Sequence, residues 1–127
     1  MAKRIISVAA AGALLLGVFA QPTKANMWSA HQEYLTFDAP VALPGVVLAA
    51  GTYAFEIPSE GASHSLVRVA SRDGRQIYLT AFTREVPRPN ADDVPLITFH
   101  EAAKGMARPV NVWFPHGQET GKQFIYN

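Results

Sequence analysis

Proline and glycine recur along most of this chain. They stand at Pro40, Pro44-Gly45, Gly51, Pro58, Gly61, Asp73-Gly74, Pro87, Pro89, Pro95, Gly105, Pro109, Pro115, Gly117 and Gly121. The pieces between them are too short for ordinary helices and suit β-strands. Within the pieces, apolar residues alternate with polar or small ones, as expected where successive side chains point to opposite faces of a sheet. Leu35 and Phe37 share a face, as do Tyr53, Phe55 and Ile57, then Val67 and Val69, Ile77, Leu79 and Ala81, Ile97 and Phe99, Val110, Val112 and Phe114, and Phe124 and Tyr126.

Two turns carry their own chemistry. Pro44-Gly45 fits a type II turn, with proline fixing the first central φ and glycine accepting the positive φ of the second. Asp73-Gly74 sits between two alternating runs and predicts a tight primed hairpin over Leu66–Phe82. Residues 87–95, with three prolines, predict a loop, since proline cannot donate to a central ladder. Residues 102–108 allow one short helical turn. Together these features predict an all-β fold, an antiparallel β-sandwich or small β-barrel of about seven to eight short strands.

The N-terminus follows different rules. Lys3 and Arg4 precede an uncharged, mostly apolar run from Ile5 to Ala20, and small-residue patterns end at Ala20 and Ala25. This is the layout of a secretory signal peptide. The run of about 16 residues is shorter than the roughly 20 that a spanning helix needs. Residues 1–25 are therefore expected to be a signal peptide, cut preferentially after Ala25, and residues 26–127 a single exported domain, periplasmic or extracellular. Removing 1–25 takes Lys3, Arg4 and Lys24 and no acid, so the formal charge moves from +1 to −2. The mature chain has no basic excess of the kind nucleic acid demands, and no second apolar run to span a membrane. The absence of cysteine excludes a disulfide framework, a thiolate metal site and a lipid-anchored cysteine. The core must then be hydrophobic, which a domain of about 100 residues can achieve.

Several motifs taken together are familiar. "LPGVVLAAGTYAFEI", "VRVASRDGRQIYLTAF", "LITFHEAAKG" and "VNVWFPHGQETGKQFIYN" resemble a group of small secreted bacterial proteins, common in acidobacteria, that carry the same motifs in the same order. The resemblance covers nearly all of residues 32–127. Ala49 departs from it where proline is usual, His116 intervenes between Pro115 and Gly117, and Asn127 ends the chain where proline is common. The resemblance implies a secreted β-domain and transfers no catalytic residue.

Candidate chemistry is sparse. Four histidines remain in the mature chain, His31, His64, His100 and His116, with Glu33, Asp92, Asp93, Glu101 and Glu119 as potential partners. A metal-dependent hydrolase would use His100, Glu101 and His116, yet catalytic zinc wants three converging ligands and no tight ligand spacing occurs. His31-x-Glu33 places two polar groups on one strand face. Ser63-His64-Ser65 lacks the strained nucleophile elbow of a hydrolase. "NADD" at 90–93 lacks the alternating spacing of a calcium loop. No phosphate loop and no cofactor signature appears. The aromatics Trp28, Tyr34, Tyr78 and Trp113, off the main apolar phase, are the candidate ligand-binding residues, since exposed rings give flat apolar area with a polar handle. The expectation is a non-enzymatic exported domain acting through its surface, as an interaction or envelope-associated protein with a protein or polysaccharide partner. A carbohydrate or small-ligand binding module is the alternative.

Overall fold

The computed structural model describes residues 20–22, 31–58 and 65–127. Most of the expected signal peptide, the expected cleavage site after Ala25, Trp28 and His64 lie outside the described residues. The described chain is all-β and mostly antiparallel. Ten strands follow in order: β1 (Ala20–Pro22), β2 (His31–Phe37), β3 (Val41–Leu43), β4 (Val46–Leu48), β5 (Gly51–Ile57), β6 (Leu66–Ser71), β7 (Ile77–Pro87), β8 (Ile97–Phe99), β9 (Arg108–Trp113) and β10 (Thr120–Phe124). Hydrogen bonding runs β1-β2-β5-β6-β7-β10-β9-β3-β4, with β8 added beside β9. The pairing of β3 with β9 is parallel.

Six of these strands, β2 and β5 to β9, sit where the alternation predicts them, whereas the expected run over 124–126 meets β10 only at Phe124. The short hairpin β3–β4 was visible only as its turn. Gly45 has φ of +78°, as the second central position of a type II turn requires. The β6–β7 hairpin is correctly placed, but its connection is longer than the expected two-residue turn. Gly74 N donates to Ser71 O at 2.9 Å, Ser71 N donates to Gln76 O at 2.8 Å, and Gly74 lies at φ +77°. Asp73 fixes this loop, its Oδ1 accepting from Ser71 Oγ at 2.7 Å and Arg75 N at 3.0 Å. The 87–95 region departs from strand structure after Pro87. The expected helical turn at 102–108 does not form: Met106 N donates to Ala103 O across a β-turn whose Gly105 lies at φ +86°.

The sheet folds over on itself. β5 and β9 are four steps apart in strand order, about 19 Å in a flat sheet at roughly 4.8 Å per step. Yet the rings of Phe55 and Trp113 lie 5.5 Å apart, edge to face. The corner is β7, whose first half pairs with β6 through Phe82 and whose second half, Thr83–Pro87, pairs with β10. A long strand shared between two layers is how orthogonal sandwiches turn. One layer holds β2, β5 and β6, and the other holds β10, β9, β3 and β4. Between them lie Leu35, Phe37, Leu43, Leu48, Phe55, Ile57, Val67, Val69, Val110, Trp113 and Phe124. Fully burying side chains of this size stabilises by about 1.5–3 kcal/mol each before entropy is counted.

Trp113 corrects the simple alternation. Its position between Val112 and Phe114 predicts the outer face, but it is fully buried in the core. The register between β8 and β9 shifts between the pairs Ile97↔Trp113 and Phe99↔Val110, so β9 spends one extra residue there. A bulge of this kind re-aims the side chains that follow it. Val110 and Trp113 thus both point inward, although three residues apart, while Val112 and Phe114 are buried elsewhere, close against Gly121. Thr98 Oγ1 accepts from Val112 N at the irregularity. Likewise Ala54 and Glu56 lie on the outer phase of β5 but are buried rather than exposed. For Glu56 the cause is a row across three strands: Arg68 donates to it at 2.6 Å and Gln32 bonds its other oxygen.

Candidate functional site

One end of the core is polar. His31 and Glu33 share the inward phase of β2 with Leu35 and Phe37, and Lys122 shares that of β10 with Phe124. Glu33 is only 1% exposed and Lys122 is fully buried. Buried charge of this kind is rare unless paired, and both residues are paired.

Glu33 is the hub. Trp113 Nε1 donates to its Oε1 at 2.8 Å. His116 supplies its backbone N to Oε2 at 3.0 Å and its ring Nδ1 at 2.5 Å. His31 Nε2 stands 3.7 Å from the same oxygen, long for a hydrogen bond, and is buried without a partner. Burial pushes the Glu33 carboxyl up, but the nearby His31 ring and the hydrogen bonds from His116 and Trp113 outweigh it and hold the carboxyl below its usual value. The carboxylate is therefore ionised at neutral pH, and both of its oxygens accept hydrogen bonds. The His116 ring, by contrast, keeps more than half its side chain exposed. Chemically this is a buried carboxylate orienting a solvent-facing imidazole, the base-and-orienter half of an acid–base site.

The loop that delivers His116 is held from a third strand. Arg88, just past β7, donates its backbone N to Glu119 O at 3.1 Å and its guanidinium to Pro115 O at 3.2 Å. That guanidinium also covers the ring of Phe114 at 5.8 Å. Across β10, Lys122 lies opposite Trp113 and opposite Glu85 in register. Its Nζ donates to Glu85 Oε2 at 2.8 Å. The polar end thus spans β2, β9, β10 and β7.

The expected metal trio is not brought together. His116 is engaged by Glu33, whereas exposed His100 packs its ring edge-on to Tyr126 at 5.8 Å and Glu101 is exposed beside it. Among the described residues no group of three or more His, Asp or Glu side chains is arranged to hold a metal ion. The expected aromatics also disperse. Trp113 is in the core, and Tyr78 packs partly against the core with its ring edge-on to Tyr53 at 5.5 Å. Tyr34 remains on the outer face of β2, with the Arg72 guanidinium 5.6 Å from its ring and an open depression shared with Ser71 and Asp73.

The hub itself was only half legible. His31-x-Glu33 stands out in the sequence as a pair on one face, but nothing local gives its destination. The Lys122–Glu85 pair has no sequence spacing that announces it, because it forms across β10 and β7. The available signal was phase: a charged residue occupying the apolar phase of an otherwise regular strand, as Glu33 does before Leu35 and Phe37 and Lys122 does before Phe124. With fold and site in view, the chain stands apart: no family model, no curated protein and no solved structure matches it significantly. Among the described residues no helix is long and apolar enough to cross a membrane.

Proposed function

We infer that this is an exported, non-enzymatic β-domain that works through its surface, as an interaction or envelope-associated protein. Export rests on the N-terminal pattern of Lys3, Arg4 and the apolar run that follows, and on the resemblance to small secreted bacterial β-domains. The observation that carries the surface reading is the Tyr34–Arg72 patch. It is an aromatic ring flanked by a guanidinium, a hydroxyl and a carboxylate in an open depression on the outer face. The internal charges, in contrast, are engaged with one another: Glu33 by Trp113 and His116, Lys122 by Glu85. They support the scaffold, whereas on the outer face the Tyr34 ring and the Arg72 guanidinium are offered to a partner, beside a loop that Ser71 and Asp73 hold in shape. A flat ring with polar neighbours suits a sugar ring as well as a protein side chain, which is the basis of the carbohydrate-binding alternative.

The test uses the exported protein recovered from the periplasm or medium of an expressing bacterium. Wild type and a Tyr34→Ala/Arg72→Ala double variant are sedimented with isolated cell envelopes, peptidoglycan and insoluble plant polysaccharides. The expected result is retention of wild type on one of these, at least tenfold weaker in the variant. Retention that ignores the double substitution removes the patch from the argument. Hydrolysis of any of these materials, abolished by His116→Ala, would overturn the non-enzymatic reading.

A further inference from the structure

Among the described residues, His31 Nε2 is the buried side-chain nitrogen left without a hydrogen-bond partner. Yet it points at a buried carboxylate 3.7 Å away. In a neutral ring that nitrogen is either a donor short of its acceptor or a lone pair facing negative charge. Both are unfavourable. A protonated ring carries N–H at this atom whichever tautomer it came from, and then faces its natural partner.

We propose that His31, Glu33 and His116 form an acid-tightened clasp, in which proton uptake lets His31 close on Glu33 and strengthens the tie between β2 and the loop joining β9 to β10. The elements around the clasp set the balance. From β5, Ile57 lies opposite His31 and Phe55 opposite Glu33, both apolar. From the β9 side come the neutral Trp113 indole and the His116 ring. Lys122, opposite Trp113 on β10, is already matched by Glu85 on β7. Among the described residues, Glu33 is thus the negative charge that His31 meets there. The ring keeps about a fifth of its side chain exposed (21%), so it does not lose all its water on charging. Two histidines sharing one buried carboxylate is an arrangement for sensing protons. It concerns the stability of the fold and is independent of what the outer face binds.

The sign follows from linkage. The gain comes from a partner that only the charged ring can meet, so it is larger at pH 5.5 than at pH 8. It ends when Glu33 itself takes up a proton, below the usual carboxylate range because its carboxyl is held low. The experiment compares thermal unfolding midpoints of wild type and His31→Gln at pH 8 and pH 5.5 at fixed ionic strength. Glutamine keeps a donor in place but cannot be charged. Wild type is expected to gain about 5 °C more than the variant on acidification, a readable shift for a domain of this size. Equal pH responses overturn the clasp. Should the variant fail to fold, nitrogen-15 spectra of the wild-type imidazoles decide. At pH 5.5 the His31 Nε2 proton is expected to be protected from exchange, and rapid exchange with water overturns the proposal.

Discussion

Among the described residues two carboxylates, Glu33 and Glu56, are buried, and they are held in opposite ways. Glu56 lies on the outer phase of β5, in a row with Gln32 on β2 and Arg68 on β6. Its partners are its immediate neighbours across the sheet, and Arg68 keeps a quarter of its side chain exposed (24%). Glu33 lies on the inner phase of β2. Its hydrogen-bond partners, Trp113 and His116, come from the far layer, 80 and 83 residues along the chain. The first carboxylate ties strands that would be adjacent anyway. The second ties two layers that are adjacent only because the sheet has folded over. The difference teaches that the polar end of the core is a fastening between layers, whereas the Glu56 row reinforces one layer.

Removing each carboxylate should break that comparison open. Glu33→Ala strands the Trp113 and His116 donors in a buried place and leaves a void, so it should cost about 3–5 kcal/mol, the usual loss when one partner of a buried polar pair is removed. Glu56→Ala leaves an arginine able to turn toward water and should cost only about 1–2 kcal/mol. Urea unfolding of the two variants measures both; equal losses would mean the layers are not fastened at Glu33. The same contrast has a pH form. The Glu33 carboxyl is held below its usual value when folded, so its contribution is present above that range and is lost as pH falls through the folded value. Unfolding midpoints from pH 6 down to pH 3 should fall more steeply for wild type than for Glu33→Gln.

A smaller effect tests the packing beside the fastening. A Cβ added at Gly121 would stand 2.6 Å from Phe114 and 2.7 Å from Val112. Gly121→Ala should therefore cost about 1–3 kcal/mol by overpacking, and a stability equal to wild type would show that β9 and β10 can separate freely. The smallest expected change is at the far end of the second layer. Tyr126 donates to Val110 O at 2.6 Å and Ala42 O at 3.3 Å, holding the parallel junction of β3 and β9. Tyr126→Phe should cost about 1 kcal/mol. Burial pushes the Tyr126 hydroxyl up to about 12, so its contribution is complete below the ordinary tyrosine range near 10 and is lost as pH rises toward that value. Alkaline unfolding should accordingly begin at a similar pH in the variant but be less steep.

Local pattern was readable where the physics is local. The alternation of Tyr53, Phe55 and Ile57 marked a core face, and those residues are buried. Pro44-Gly45 announced its turn because the dihedral demands of the turn are met by those two residue types alone. The candidate site was less readable. Trp113 was assigned outward because strict alternation knows nothing of a bulge, and the bulge in β9 is set by its pairing with β8. His100 and His116 look alike in sequence, yet one rests on Tyr126 and the other on Glu33.

The sequence by itself determined the strand-and-turn alphabet: short alternating pieces, proline and glycine at the breaks, no cysteine to cross-link them. Those properties depend on each residue and its neighbours, through backbone sterics and side-chain period. Only the tertiary structure decided that β7 would serve both layers, that β9 would carry an extra residue, and that Glu33 would meet Trp113 and His116. These outcomes depend on which strands come to lie side by side after the sheet folds over. A hydrogen bond spanning 80 residues has no local signature beyond one charged side chain standing in the apolar phase of its strand.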